Sequence, residues 1–311
     1  MTAEDEGTLT AAAVRPQAVT RRRRLVPLTG VRSGRVAFVL GGGGRWGAVE
    51  VGVLRALVEA GLELDLVIGT SIGAINGAVL ATDPTSVGID RLNALWSEVA
   101  ASDLLGMNLI ERVRTFARLR VAIEDPRPIR QLLERALPVR TFDQLAVEFH
   151  CVAASIERAA EHWFTTGPLI EALLASSAVP SLFPPVEFEG EHFYDGGLVN
   201  SVPVDRAVHF GGMEIYVLQV GRLEAPLRAP TKFYEAALLA FEIARRHRFA
   251  SARNNQIPGV ELRVLPSANE VEFDDLRQIN WSDFGGHRTS DRWCLFGQLR
   301  LSRRGGGGGV M

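Results

Sequence analysis

The sequence predicts an α/β fold with a mostly parallel sheet flanked by helices, and three observations carry that expectation. A short apolar run ends in glycines and opens a segment of helical spacing, a second run repeats the pattern, and further runs of strand length follow downstream. With 311 residues, 47% hydrophobic and 23% charged, the chain can bury a large core, which excludes wholly disordered, collagen-like and disulfide-scaffold proteins.

Residues 1–33 lack hydrophobic periodicity and hold six arginines against three acids, so a disordered basic tail is expected there. Residues 36–40 form an apolar, β-prone run, the glycines 41–44 break it, and residues 46–60 carry Val49, Val53, Ala56 and Leu57 at helical steps before Gly61. Residues 64–68 read as a second buried strand and residues 71–80 as a helix of small residues. Further strands are expected at 148–156, 162–165, 214–220 and 260–265. The core is placed at 34–222, with 223–302 completing the same domain and a flexible tail at 303–311 that contains Gly305 to Gly309.

Basic and acidic residues number 34 and 36, so no global charge draws the chain to nucleic acid. Two cysteines, Cys151 and Cys294, allow at most one disulfide, and a reducing compartment is the default. Residues 25–28, after Arg21 to Arg24, are too short for a signal-peptide apolar region. The stretch 66–81 is interrupted by Gly, Thr, Ser and Asn and falls short of the about 20 apolar residues of a membrane span. A cytoplasmic protein is expected, with peripheral membrane contact as the alternative. Arginine-rich segments would make that contact: the tail, residues 104–120 with Leu109, Val113 and Phe116 on one helical face, and residues 241–253 with Arg245-Arg246-His247-Arg248. A solvated arginine face on a packed helix is the commoner explanation of the latter two and is preferred.

Two turns and one aspartate carry chemistry. Gly41-Gly42-Gly43-Gly44-Arg45-Trp46-Gly47 joins a strand to a helix, so unobstructed backbone N–H groups form an anion cradle. Gly42, Gly44 and Gly47 also fit the dinucleotide pattern, but its acidic partner would be Asp65, at the wrong end of the second strand for a ribose. Gly69-Thr70-Ser71-Ile72-Gly73 has the strand-to-helix setting of a nucleophile elbow, although Ser71 could equally cap a helix. Asp195, in Phe193-Tyr194-Asp195-Gly196-Gly197 after the hairpin-like residues 187–193, is either part of a hairpin turn or a rigidly held carboxylate able to serve as a base. None of His150, His162, His192, His209, His247 and His287 has a recognisable catalytic setting.

Taken together, these motifs resemble the patatin-like phospholipases, as do Ala175-Ser176-Ser177-Ala178-Val179-Pro180, Phe183-Pro184-Pro185-Val186 and the run Asn200 to Pro203. The likeness covers about residues 35–220. It implies a three-layer α/β sandwich and a lipid acyl hydrolase that uses an acyl-enzyme, with lipid or phospholipid esters as substrates and no catalytic histidine, cofactor or metal. Carried over, Ser71 is the nucleophile, Asp195 the base, Gly42, Gly43 and Gly44 the oxyanion hole, and Gly69 and Gly73 the glycines of the elbow. One departure is that Trp46 stands where the family usually has a basic residue, with Arg45 one position earlier. A non-catalytic lipid-binding protein on the same fold and, on the first glycine loop alone, a dinucleotide-binding oxidoreductase remain as alternatives, and an acyltransferase is a variant of the hydrolase.

Overall fold

The computed structural model describes residues 34–101, 122, 125–220, 226–231, 233–253 and 258–265. The N-terminal tail, the expected helix at 104–120, and residues 266–311 with Cys294, His287 and the terminal glycines lie outside the described residues. In chain order come β1 (Arg35–Leu40), α1 (Gly47–Glu59), β2 (Leu66–Thr70), α2 (Ile72–Thr82), α3 (Ser86–Ala101), α4 (Arg127–Ala136), β3 (Glu148–Ser155), β4 (Ala160–Phe164), α5 (Leu169–Ser176), β5 (Val186–Phe188), β6 (Glu191–Asp195), α6 (Val204–His209), β7 (Gly212–Leu218), α7 (Phe233–Arg253) and β8 (Glu261–Leu265).

All eight strands join one sheet. Its centre is parallel, β3-β2-β1-β7-β8, and β4, β5 and β6 add antiparallel pairs. The expected α/β class and mostly parallel sheet are therefore present. Burial on both faces explains why β1 and β2 read as unbroken apolar runs rather than alternating ones. Val36, Phe38 and Leu40 of β1 point into the cluster shared with α1, α2, α3 and α5, while Ala37 and Val39 join Val204 and Ala207 of α6 on the other face. β2 starts at Leu66, later than the sequence suggests. Asp65 turns aside, and its carboxylate accepts the Val36 N–H at 2.9 Å. The C-terminal segment contributes to the same sheet, since β8 pairs with β7 over five residues. Among the described residues, no helix is long and apolar enough to cross a membrane.

The register of β3 brings distant residues together. Thr70, the last residue of β2, pairs with Val152, and Asp195, the last residue of β6, pairs with the next residue, Ala153. Cys151 and Val152 pair with β2 and β4 together, whereas Ala153 to Ser155 pair with β4 and β6. β2 and β6 thus share one edge of β3 and run toward each other along it. Both chains must leave the sheet where they meet, and the two departures place Ser71 beside Asp195.

Beneath this junction a polar cluster ties three helices. Asn76 of α2 donates to Glu50 Oε2 at 2.7 Å and to the Gly47 carbonyl at 2.9 Å, and Trp96 Nε1 of α3 donates to Asn76 Oδ1 at 3.0 Å. Glu50 is wholly buried, and burial pushes its carboxyl up to about 8 against the opposing Asn76 hydrogen bond. A carboxyl raised in the folded state holds a proton that the unfolded chain releases, so stability falls as pH rises from about 5 to 8, by up to about 1.4 kcal/mol per unit. Glu50→Gln is expected to flatten much of that decline, leaving the variant more stable than the parent at pH 8 and similar at pH 5. Urea unfolding at the two pH values checks this.

Candidate active site

The turn after β2 is built around two close approaches. A Cβ on Gly73 would lie 2.4 Å from the Leu40 carbonyl oxygen, and one on Gly69 would lie 2.4 Å from Ala74 Cα, so only glycine fits either position. Between them Ser71 adopts φ 57° and ψ −126°, a conformation that costs a non-glycine residue of order 1–3 kcal/mol and must be held by its surroundings. The Ser71 N–H donates to Ser176 Oγ at 3.0 Å, and its carbonyl accepts from the N–H groups of Ala74 at 2.9 Å and Ile75 at 3.3 Å. Its side chain makes no capping bond to α2, which removes the helix-cap alternative. Ser71 Oγ instead donates to Asp195 Oδ2 at 2.5 Å.

The hairpin turn of β5 and β6 falls at Glu189 and Gly190, both with positive φ, so Asp195 and Gly196 are not a hairpin turn. Asp195 caps the 3-10 turn Gly196–Leu198: Oδ1 accepts the Gly197 N–H at 2.7 Å, while its own N–H donates to the Ala178 carbonyl at 2.9 Å. Rotation about the side-chain bonds would break one of these contacts. The carboxyl is wholly buried. Burial pushes it up to about 7, opposed by the Ser71 hydroxyl, the Gly197 N–H and the positive charge of Arg245. Ser71 is 6% exposed, so the pair is largely shielded from water.

The glycine loop lies against this pair. A Cβ on Gly42 would sit 3.2 Å from Ser71 Cβ and 3.9 Å from its Oγ. Of the three glycines expected to offer donors, Gly42 has its N–H turned to the Ser201 carbonyl at 3.4 Å, whereas no acceptor among the described residues takes the N–H of Gly43 or Gly44. Asp65 stands before β2, away from this loop, and does not complete a dinucleotide site.

The sequence reading named Ser176, the run holding Ser201, and Arg245, but gave none of the three a role at this site. Ser176, at the end of α5, receives the Ser71 N–H. Ser201 links the loop to α7, its carbonyl facing the Gly42 N–H and its hydroxyl donating to the Arg245 carbonyl at 3.0 Å. With Thr70 Oγ1 donating to the Asn200 carbonyl at 2.9 Å, the run Asn200 to Pro203 braces both turns. Arg245 is buried and donates from Nη1 to the Gly42 carbonyl at 3.1 Å. A buried arginine had one signal in the sequence, its place among the apolar residues of a helix. The run Arg245-Arg246-His247-Arg248 is accordingly not a free lipid-facing stripe: Arg245 and Arg246 bond Glu242, and Arg248 bonds the Val199 carbonyl. Among the described residues, the side chains of Ser71 and Asp195 bond each other and the Gly197 N–H, and no histidine.

The family model described as patatin-like phospholipase matches residues 38–208. The chain is similar to the patatin-like phospholipase domain-containing protein ZK370.4 of Caenorhabditis elegans, with 31% identity over 61% of this chain and 14% of that protein. It is also similar to the lysophospholipase nte1 of Aspergillus terreus, 28% identical over 61% of this chain and 12% of that protein, and to patatin-like phospholipase domain-containing protein 7 of Rattus norvegicus, 30% identical over 60% and 14%. The chain therefore spans a small part of these relatives' length. Among solved structures, VipD from Legionella pneumophila matches with a TM-score of 0.45 and 14% identity over 83% of this chain and 66% of that one.

Proposed function

The chain belongs to the patatin-like phospholipase family, and we propose that it is a serine-dependent lipid acyl hydrolase acting on carboxylic esters through Ser71 and Asp195. The observation that carries the reading is the buried 2.5 Å contact from Ser71 Oγ to Asp195 Oδ2 beside two backbone donors that no acceptor among the described residues takes. A serine hydroxyl is a poor nucleophile unless a base lies within hydrogen-bond reach, and a carboxyl raised to about 7 is a far better base at neutral pH than an ordinary aspartate.

In the proposed cycle Ser71 Oγ attacks the ester carbonyl carbon while its proton passes to Asp195 Oδ2. The carbonyl oxygen becomes an oxyanion, held by the N–H groups of Gly43 and Gly44, a contribution of about 3–4 kcal/mol for a donor of this kind. The N-terminus of α2, whose first turn has no acidic residue, adds positive potential at the same place. Collapse breaks the bond to the leaving alcohol, which takes the proton from Asp195. Water then attacks the acyl-enzyme, gives a proton to Asp195, and the second collapse returns that proton to Ser71 and frees the fatty acid. Gly42 serves in this scheme by close approach to Ser71 rather than as a donor.

A fluorophosphonate probe, which reacts with activated serines, tests the proposal. Peptide mass spectrometry is expected to find the label on Ser71, with labelling lost in Ser71→Ala and much slowed in Asp195→Asn. A folded protein that neither labels nor cleaves short-chain esters would remove the catalytic reading and favour lipid binding without turnover.

A further inference from the structure

Arg245 lies 203 positions from Gly42 in the chain, yet its guanidinium touches the loop beside Ser71. It is 5% exposed, and all three of its nitrogens are used. Nε and Nη2 each donate to Glu242 at 2.8 Å, which fixes the plane of the fork, and Nη1 is left aimed at the Gly42 carbonyl at 3.1 Å. The backbone of Arg245 is itself held by Ser201, whose own carbonyl faces the Gly42 N–H. Gly42 is thus gripped at both its N–H and its C=O.

The peptide bond gives that grip a direction. In a trans peptide the C=O and the following N–H point opposite ways in one plane. Fixing the Gly42 carbonyl on Arg245 therefore fixes the Gly43 N–H on the opposite side, and a charged donor on the carbonyl polarises that amide. Resting on the hydrolase reading above, we propose that Arg245 is a positioning residue: from α7 it orients the Gly43 N–H toward the oxyanion and supplies the positive charge that faces Asp195. The groups facing Asp195 from the elements around it are the Ser71 hydroxyl at the start of α2, the Gly197 N–H and, from α7, Arg245 with Glu242 behind it; β3 and α5 present no charged side chain to it. A merely structural arginine would tie α7 to the glycine loop without altering the chemistry at Ser71.

The full chain carrying Arg245→Gln, Arg245→Lys or Ser71→Ala is assayed with a water-soluble p-nitrophenyl ester and a fluorophosphonate. Arg245→Gln is expected to lower kcat by about 10- to 100-fold with KM within about threefold, to slow labelling in parallel, and to move the ascending limb of the kcat/KM pH profile up by about one unit as the facing charge is lost. Arg245→Lys keeps the charge and loses the fork, so the limb stays while kcat still falls by about fivefold. A wild-type kcat in Arg245→Lys, or a wild-type kcat and pH limb in folded Arg245→Gln, overturns the inference. Ester activity surviving in Ser71→Ala removes the hydrolase reading itself, whereas activity lost there and intact in the Arg245 variants removes this inference alone.

Discussion

Replacing Ser71 by alanine is expected to lower kcat for ester hydrolysis by at least about 10⁴-fold while leaving the fold intact. The two halves of that expectation rest on different atoms. The rate depends on Oγ, the atom that forms the acyl bond and whose contact with Asp195 is 2.5 Å long. The fold depends on the Ser71 backbone, which keeps its N–H bond to Ser176 and its carbonyl bonds to Ala74 and Ile75 in the variant. Alanine pays the same conformational penalty at φ 57° as serine, and no helix cap is lost because Ser71 provides none. Thermal unfolding beside steady-state kinetics separates the two, and His192→Ala, an exposed residue paired with Glu157, serves as a control that keeps its rate. A substantial rate in pure, folded Ser71→Ala would mean that another group carries the reaction.

The parts of this site that were legible in the sequence are those in which a local backbone demand selects a residue type. Gly69 and Gly73 are readable because the turn admits no Cβ, and the glycine loop because a run of such residues between strand and helix has few other uses. The parallel centre of the sheet was legible for a similar reason, as strands buried on both faces leave continuous apolar runs. Long-range pairing was not. That β2 and β6 meet head-on along β3 is a matter of register, set by Thr70 opposite Val152 and Asp195 opposite Ala153, and nothing in the local composition of either strand encodes the other. Asp195-Gly196 even reads locally as a hairpin turn, although the turn lies six residues earlier, at Glu189 and Gly190, within the hairpin-like residues 187–193.

Arg245 shows the same limit for side chains. In the sequence it sits in a basic run that invites a lipid-facing reading. In the fold the helix period turns it inward while Arg248 stays half-exposed. The departure at Trp46 put in doubt what the family's usual basic side chain orients, and the guanidinium that bonds the Gly42 carbonyl comes from α7, far along the chain. Amphipathic α3, with Ile89, Leu92, Leu95 and Trp96 buried at helical spacing, was not among the elements expected, and neither was its place beside Asn76 and Glu50.

Asp195→Asn is expected to cost catalysis and gain stability at once, a pair of effects that a structural aspartate would not give. The amide oxygen can still accept the Gly197 N–H, so the cap of the Gly196–Leu198 turn survives, but the group facing Ser71 becomes an NH₂ that donates to Oγ and accepts no proton. The expected loss is about 10³- to 10⁴-fold in kcat/KM, comparable to disabling the proton acceptor of other serine enzymes. The residual rate should lose the ascending limb expected of the parent near pH 7, the range to which burial pushes the Asp195 carboxyl. Stability moves the other way. Burial raises the carboxyl to about 7 from an unfolded value of 3.8, so the folded state binds more protons across that interval and the parent weakens as pH rises through it. Asparagine has no charge to bury, so the variant is expected to be the more stable protein at pH 8 and to differ little below pH 4. Urea unfolding at both pH values reads one half and ester kinetics the other. A variant that loses activity and stability together at pH 8 would make Asp195 a structural group, and one that keeps its rate would hand the proton to another base. The measured combination therefore distinguishes a carboxylate kept buried for its chemistry from one kept for the fold.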